Sequence, residues 1–447
     1  MGRAVFLCYH GIGHFNACFR MAKVMQRDHD VVFAGHEYFQ GYVRRQDFQY
    51  YPLKTVPFGL GFETWANTIE KKKFIYWNTL KDRWTNSRFN LRERELTQLI
   101  DETAPDFLFI DSSQSTDLIV LYPLLKERRV RAVIVHTTLS PVMEPDLPPL
   151  NSLTVPGESN LRKARWLFFL KRRTRALGQW LLYFGMNDQY LVRAAIGRNK
   201  FPVKCLSEKP ALFSLNFENI HELIAAPLAF ELPSKFRSPF QHYLGSMLDV
   251  SRKETGDPSF HACMLQMHEK MANEKKLIYC SFGTVETKFR QRLTTFLKNL
   301  SLALRHSNYI LLVGGNSFDL LQKLQLPGEI YYFREVPQNQ VLKHASLFIT
   351  HGGWNSVKEG IYAQVPLLVY PLDPRTDQPG ISTRVVYHGL GLRGDMKKES
   401  PQVISSRIET LLTAAGYKQK IKAMAESEKA YSDETFLSVL GNIRPID

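Results

Sequence analysis

The sequence predicts an α/β fold built from two doubly wound domains that face each other across a cleft. Two series of short, almost continuously apolar segments alternate with longer amphipathic segments, which is the pattern of parallel strands buried between helices. The chain has 447 residues, too many for one ordinary core, since domains average roughly 100–200 residues. A polar segment separates the two series and marks the boundary between the domains.

The strand candidates fall into two groups, one in each half of the chain. The first group comprises residues 4–9, 30–35, 106–111, 130–137 and 211–216. The second group comprises residues 276–283, 309–315, 329–333, 347–352 and 365–371. Residues 286–306 are a clear helix candidate between two strands of the second group. Because ligands of doubly wound folds bind at the carboxyl ends of the strands, functional residues are expected in the strand-to-helix loops.

The predicted linker covers residues 246–258, which are polar, lack apolar periodicity and contain Gly256 and Pro258. The N-terminal domain then covers residues 1–245 and the C-terminal domain covers residues 259–447. The last helix of the chain is a candidate to pack back on the N-terminal domain.

The composition is that of an ordinary globular protein, with 44% apolar and 23% charged residues. The five cysteines are scattered and form no CxxC pair, which argues against a disulfide framework or a zinc site and indicates a reducing compartment. No apolar run approaches the roughly 20 residues that a spanning helix needs, and the first residues lack a secretory signal pattern. A cytoplasmic location is therefore expected.

The net charge of +15 favours anionic partners, and part of it is concentrated in residues 161–175. This segment holds seven Lys or Arg residues and no acid around the apolar run 166–170. In one interpretation it is an amphipathic helix that makes peripheral contact with an anionic membrane or covers an apolar acceptor. In the other it is a solvated helix whose apolar centre packs into the N-terminal half. Runs of charge are usually exposed faces, which favours the second interpretation.

A candidate anion site follows the strand candidate 347–352 and has the sequence HGGWNSVKEG at 351–360. The two glycines allow the backbone to approach a bulky anion closely, and the following helix offers free N–H groups and a positive dipole end. The side chains of Asn355 and Ser356 add hydrogen-bond donors. Glu359, one turn into the helix, can accept hydrogen bonds from both vicinal hydroxyls of a ribose. The segment therefore predicts a site for a phosphorylated nucleoside.

Two further segments reach the same edge of the predicted second sheet. Asp377 and Gln378 follow the strand candidate 365–371, and an adjacent carboxylate and amide suit the hydroxyls of a sugar. Residues 336–342 follow the strand candidate 329–333 and can supply a pocket for a base.

Two of these segments closely resemble the nucleotide-sugar signature of the family 1 UDP-glycosyltransferases. They are PQNQVLKHASLFITHGGWNSVKEG at 337–360 and DQPG at 377–380. Looser similarity extends to SFGT at 281–284 and GHFN at 13–16. Members of this family are inverting enzymes with the GT-B fold, in which two Rossmann-like domains bind the acceptor and the nucleotide-sugar, respectively. The interval between His344 and His351 is two residues shorter than in the plant and animal enzymes of the family, and in this it resembles bacterial members.

The resemblance implies a donor site that surrounds each part of a UDP-sugar. Its expected members are Ser281 and Thr284 near the phosphates, His351, Gly353, Trp354, Asn355 and Ser356 on the diphosphate, Glu359 on the ribose, Asp377 and Gln378 on the transferred sugar, and Gln338 at the base. One departure concerns the base: Glu335 stands where the family often places a tryptophan that stacks on uracil.

The N-terminal candidate site follows the first strand. The sequence Gly11-Ile12-Gly13 begins like a dinucleotide fingerprint, but Asn16 replaces its third glycine, so a nicotinamide or flavin site is disfavoured. His14 resembles the catalytic histidine of the family, and Asp111 stands where the family places its partner carboxylate. A neutral imidazole is a suitable general base for an attacking hydroxyl, and a carboxylate fixes its tautomer. The structural alternatives are a non-catalytic histidine and a carboxylate that only caps a helix.

The sequence thus predicts a metal-independent glycosyltransferase that moves a sugar, with glucose expected, from a UDP-sugar to a hydroxyl of an apolar small molecule or lipid. The UDP-sugar is a co-substrate, and no cofactor, metal or nucleic acid is expected, since the anion cradle itself stabilises the leaving diphosphate. Aromatic loops at 55–90 and 140–195 are the candidate acceptor walls. The alternatives are a nucleotide-sugar epimerase of the same fold and a non-catalytic sugar-nucleotide-binding protein.

Overall fold

Two parallel sheets form the centre of the computed structural model, which describes residues 2–157, 160–283, 289–315 and 326–446. The first sheet has the order β3-β2-β1-β4-β5-β6-β7 and the second has the order β10-β9-β8-β11-β12-β13. The strands are β1 Gly2–Leu7, β2 His29–His36, β3 Gln49–Leu53, β4 Phe107–Asp111, β5 Arg131–His136, β6 Glu222–Ile224, β7 Gln241–Tyr243, β8 Lys276–Ser281, β9 Tyr309–Gly314, β10 Ile330–Phe333, β11 Ala345–Thr350, β12 Leu367–Val369 and β13 Gly391–Arg393. The prediction of two doubly wound domains is confirmed.

Helices connect the strands and cover the sheets. Those up to the end of the first sheet are α1 Ile12–Met25, α2 Gln40–Arg44, α3 Phe62–Ile69, α4 Ile75–Thr85, α5 Ser87–Thr103, α6 Thr116–Glu127, α7 Leu161–Leu182 and α8 Asp188–Arg198. Those that follow are α9 Phe260–Ala272, α10 Arg290–Leu304, α11 Gln338–Leu342, α12 Trp354–Tyr362, α13 Gln378–Tyr387, α14 Pro401–Thr413, α15 Ala415–Ser427 and α16 Asp433–Gly441. Within the described ranges, no helix is both long enough and apolar enough to span a bilayer.

Each sheet is buried on both faces, as its nearly continuous apolar strands require. In β1, Ala4 and Phe6 pack into one apolar cluster, while Val5 and Leu7 pack into the cluster on the opposite face. The Phe6 ring lies 4.3 Å from the ring of Phe109 in the neighbouring β4, centroid to centroid. This period of two places every second residue of a strand on the same side of the sheet.

The first sheet differs from the prediction at its outer strands. Residues 211–216 do not form a strand, and in this segment only Ala211 makes an isolated antiparallel bridge. The sheet instead continues through β6 and β7, which have three residues each and are too short to show a period. The edge strand β3 contains Pro52, which disfavours strand formation in general but is tolerated at an edge.

The chain leaves the first sheet after β7, runs through residues 244–259 without a helix or strand, and enters the second half at α9. It returns to the first half at its C-terminal end. Phe436 and Leu440 of α16 are buried in the cluster that contains Phe6 and Phe109, and the rings of Phe109 and Phe436 are 6.4 Å apart. The last helix therefore belongs to the core of the N-terminal domain.

The carboxyl ends of the two sheets face each other. Residues that follow β1 and β5 in the first sheet contact residues that follow β11 and β12 in the second. Asn355 donates a hydrogen bond from Nδ2 to the Gly13 carbonyl at 2.8 Å, and Thr138 donates from Oγ1 to Asp377 Oδ2 at 2.6 Å. The strand-to-helix loops of the two halves therefore meet at the carboxyl ends of the sheets, where the sequence predicts the cleft.

Candidate active site

His14 and Asp111 form a direct pair at the edge of the first sheet. His14 lies in the first turn of α1, Asp111 is the last residue of β4, and β1 and β4 are neighbours. The distance from His14 Nδ1 to Asp111 Oδ2 is 2.6 Å. Asp111 is 1% exposed, and its other oxygen accepts a hydrogen bond from the Ser113 amide at 2.9 Å. The structure thus brings together the two residues that the sequence singled out.

The pair defines the protonation of the imidazole. A carboxylate only accepts hydrogen bonds, so Nδ1 carries the proton and Nε2 keeps its lone pair. Thr137 Oγ1 also lies 2.9 Å from Nδ1. Burial lowers the pKa of His14, but the charge and hydrogen bond of Asp111 outweigh it, so the pKa is raised above its ordinary value of 6.5. His14 is therefore a stronger base than a free imidazole.

His10 lies close by but has a different environment. Neither of its ring nitrogens has a hydrogen-bond partner within the described residues. Burial and the neighbouring His36 lower the pKa of His10 to about 3. Its ring stands edge-on to the Trp65 ring at 5.0 Å. His10 is thus a packed neutral side chain, and His14 is the candidate base.

An aromatic wall lies beside His14. The Tyr9 ring is edge-on to the His14 ring at 5.1 Å and lies 5.9 Å from Phe62 and 6.1 Å from Trp65. Phe62 and Trp65 belong to α3, within the loop region predicted to hold the acceptor. Tyr9 was missed by the sequence analysis, because an aromatic residue at a strand end is indistinguishable there from a core residue.

The anion cradle consists of the β11–α12 turn. Gly353 precedes α12, and the amides of the next residues have no acceptor inside the helix, so they are free to bind an anion. A Cβ atom on Gly353 would lie 2.6 Å from His351 Nε2, so only glycine fits there. Burial lowers the pKa of His351 to about 4, which leaves the ring neutral near pH 7. Ser281 pairs with Thr350 in register and reaches the same edge, whereas Thr284 lies outside the described residues.

Trp354 and Asn355, two residues expected at the diphosphate, have side-chain contacts with the other domain. Trp354 is 3% exposed and donates a hydrogen bond from Nε1 to the Ala225 carbonyl at 2.7 Å. Asn355 donates a hydrogen bond from Nδ2 to the Gly13 carbonyl, so this amide group points to the other domain. Both side chains therefore connect the two domains, and the backbone amides of these residues remain available to the cradle. Sequence alone does not show this, because the contacts come from the other domain.

Glu359 is 3% exposed and already has two partners. Its Oε2 accepts a hydrogen bond from Gln338 Nε2 at 2.5 Å, and its Oε1 lies 3.2 Å from an Arg252 guanidinium nitrogen. Gln338 also accepts a hydrogen bond at Oε1 from the Tyr279 hydroxyl, at 3.2 Å. Gln338 thus orients Glu359, and its expected contact with the base stays a prediction. Arg252 comes from the linker, where a basic residue carries no sequence signal.

Asp377 lies opposite His14 and Gln378 shapes the loop beside it. Burial raises the pKa of Asp377, while the hydrogen bond from Thr138 opposes this shift. The charge of Asp377 also contributes to the raised pKa of His14, so the two groups share one region of the cleft. Gln378 Oε1 accepts hydrogen bonds from the amides of Leu372 at 2.8 Å and Asp373 at 3.2 Å. Glu335 is exposed at the base end.

The fold extends over the whole chain in solved structures of glycosyltransferases. The kitacinnamycin glycosyltransferase superposes with a TM-score of 0.66 at 15% identity, over 98% of this chain and 97% of that chain. The calicheamicin glycosyltransferase CalG4 superposes with a TM-score of 0.65 at 15% identity, over 99% of each chain. At this identity the likeness establishes the class of fold, which is that of the GT-B glycosyltransferases.

Sequence comparison finds relatives of the C-terminal half of the chain and of shorter segments. Residues 233–430 match UDP-glucoronosyl and UDP-glucosyl transferase. An uncharacterized UDP-glucosyltransferase of Bacillus subtilis (strain 168) is 31% identical over 160 residues, which are 36% of this chain and 39% of that protein. A zeaxanthin glucosyltransferase of Pantoea ananas is 39% identical over 84 residues, 19% of each chain. The chain thus spans well under half the length of these relatives. Residues 233–430 are thus similar to the UDP-glucoronosyl and UDP-glucosyl transferase family.

Proposed function

We propose that this protein is an inverting glycosyltransferase that moves a sugar, with glucose expected, from a UDP-sugar to a hydroxyl of an apolar small molecule or lipid. The 2.6 Å contact between His14 and Asp111, across the cleft from the β11–α12 turn, carries this proposal. In this proposal His14 is the general base on one side of a sugar site, and the β11–α12 turn binds the leaving diphosphate on the other.

In the proposed reaction, the acceptor hydroxyl gives its proton to His14 Nε2 as its oxygen attacks the anomeric carbon. The bond from this carbon to the diphosphate oxygen breaks, and its electron pair leaves with UDP. The free amides and the positive end of α12 stabilise the charge that develops on the diphosphate. Asp111 stabilises the imidazolium formed at His14. Attack and departure take place on opposite faces of the sugar, so the anomeric configuration inverts.

The donor and acceptor classes are supported by different features. The names of the matched relatives support a UDP-sugar, and one of them names zeaxanthin as an acceptor. The aromatic rings of Tyr9, Phe62 and Trp65 beside His14 support an acceptor with an apolar body. Glu359 and Asp377 supply carboxylates for the ribose and sugar hydroxyls, respectively.

A mass-spectrometric screen of donors against acceptors tests the proposal. UDP-glucose, UDP-N-acetylglucosamine and dTDP-glucose are each incubated with a panel of phenols, sterols and long-chain alcohols, with and without EDTA. We expect glycoside formation from UDP-glucose that EDTA does not change. Turnover of UDP-N-acetylglucosamine without any acceptor identifies an epimerase instead, and donor binding without transfer across the panel identifies a binding protein.

A further inference from the structure

Helix α7 lies on the surface with its apolar side facing solvent. None of its 22 residues is buried. Six of its large apolar residues recur at spacings that place them on one side of the helix, and these six define the α7 stripe: Trp166, Phe169, Leu170, Leu177, Trp180 and Leu181. Trp166 is 61% exposed and Leu181 is 63% exposed. An ordinary amphipathic surface helix buries this side, so α7 has the reverse orientation.

The opposite side of α7 contacts the protein. Arg165 donates hydrogen bonds to the carbonyls of Glu144 and Leu147, the latter at 3.2 Å. Gln179 donates from Nε2 to Asp188 at 2.9 Å. These contacts fix the rotation of the helix, so the outward orientation of the stripe follows from its packing.

Cations surround the α7 stripe. Arg162 and Lys163 precede it, and Lys171, Arg173 and Arg175 lie in its middle section, all of them exposed. Within the described residues these five side chains form no ion pair with a carboxylate. A solvent-facing apolar stripe among unpaired cations is complementary to the anionic headgroups and apolar interior of a lipid surface.

Contacts connect the α7 stripe to the aromatic wall of the site. Tyr183, directly after α7, lies with its hydroxyl 3.4 Å from Thr64 Oγ1 in α3. The next residue of α3 is Trp65, whose ring is 6.1 Å from that of Tyr9 beside His14. The C-terminal end of α7 is thus one helix away from the candidate base.

We propose that the α7 stripe and its cations dock this protein on an anionic membrane surface, where an apolar acceptor passes from the lipid along α3 into the cleft. This inference rests on the proposed function for the acceptor, but the docking itself is independent of catalysis. The length of α7 and its charge favour a lipid surface over a second copy of the chain, since two copies would bring like-charged cations together.

Co-flotation with vesicles tests the docking in the absence of donor and acceptor. Native protein is mixed with phosphatidylcholine vesicles with and without phosphatidylglycerol, at low and high salt. We expect binding to the anionic vesicles that weakens with salt and falls at least about tenfold in the triple variant Trp166→Ser, Leu177→Ser and Trp180→Ser. These side chains are exposed, so the variant is expected to fold.

The matched control removes exposed apolar side chains elsewhere, in Leu265→Ser and Leu302→Ser, and should bind vesicles like the native protein. Calorimetry with UDP separates the two proposals, because the triple variant should bind UDP normally whatever its vesicle binding. If the native protein does not bind UDP, that result counts against the proposed function alone. Vesicle binding that the triple variant retains, no binding of native protein, or a dimer that depends on the stripe would each overturn the docking.

A transfer assay tests delivery of the acceptor. With a long-chain alcohol embedded in anionic vesicles, the triple variant should need at least about tenfold more vesicles for half-maximal rate, while transfer to a water-soluble phenol stays unchanged. Equal vesicle dependence of native protein and variant would contradict acceptor entry from the membrane.

Discussion

At the scale of single residues, the site depends on how each polar side chain is held. Asp111 is fixed by the Ser113 amide and in turn fixes the His14 tautomer, while Gln338 and Arg252 fix Glu359. His14, Asp111 and Glu359 were identifiable from the sequence because each follows or lies near a predicted strand end. Their supporting partners were not, because hydrogen bonds between distant segments leave no local pattern.

Asp111→Asn should change the pH dependence of the reaction in a defined direction. The base must be neutral, so the native rate falls as the pH drops through the pKa of His14, which lies above 6.5. Without the charge and hydrogen bond of Asp111, the pKa of His14 falls and this limb should move to lower pH, while kcat falls roughly 10²–10⁴-fold. The measurement is kcat against pH, with Asp30→Asn at the opposite end of the sheet as control. An unmoved acidic limb would refute the coupling.

Glu359→Gln should weaken donor binding. The substitution removes the charged acceptor for the ribose hydroxyls and the partner of Arg252. We expect a roughly ten- to hundredfold higher Kd for UDP by calorimetry, since hydrogen bonds to charged groups contribute about 1.5–3 kcal/mol. Glu269→Gln, at an exposed position of α9, is the control and should leave the Kd unchanged. Equal affinities of the native protein and the Glu359 variant would exclude a ribose contact.

At the scale of elements, the long buried strands could be predicted and the short ones could not. The runs 30–35 and 106–111 gave β2 and β4 nearly to the residue, because a strand covered on both faces is continuously apolar. By contrast β6 and β7 have three residues each, and their formation depends on the neighbouring strands. The outward orientation of the α7 stripe could not be predicted either. The sequence shows that the apolar residues share one side of the helix, but not which side packs against the rest of the protein.

Gly380 shows how tightly α13 is docked against the N-terminal domain. A Cβ atom there would lie 2.1 Å from the Leu150 carbonyl oxygen, so Gly380→Ala must displace the helix that begins beside Asp377. We expect a lower melting temperature, a loss of about 1–3 kcal/mol and a reduced kcat/KM for the donor.

The control for this variant is Gly416→Ala, where a Cβ atom meets nothing within 4 Å. It lies in the first turn of α15 and should be neutral or stabilise the protein by up to about 1 kcal/mol. Equal melting temperatures for the two variants would show that the contact between α13 and Leu150 is not needed to hold this helix against the N-terminal domain.

At the scale of the whole molecule, the two domains are joined by buried polar contacts as well as by α16. Arg384 of α13 donates from Nε to Glu231 Oε2 at 2.8 Å, and both side chains are almost completely buried. Such a pair fixes the relative position of the domains, because breaking it leaves a buried charge without a partner. This pairing could not be predicted, since the two residues are 153 positions apart.

Glu231→Gln should therefore destabilise the protein by about 3–5 kcal/mol. Thermal unfolding followed by circular dichroism measures the loss. The control is Asp101→Asn, which removes an exposed ion pair with Arg128 and should cost at most about 1 kcal/mol. Similar losses in the two variants would contradict a structural role for the buried pair.

The proposed mechanism assigns the base to one domain and the diphosphate site to the other, and this division of roles is tested most directly by His14→Ala. Proton NMR of the reaction with UDP-glucose and an accepted alcohol reports both the rate and the anomer of the product. We expect the native protein to form only the β-glucoside and the variant to be at least roughly 10²-fold slower at saturating donor. A variant as fast as the native protein, or an α-glucoside as product, would contradict the mechanism.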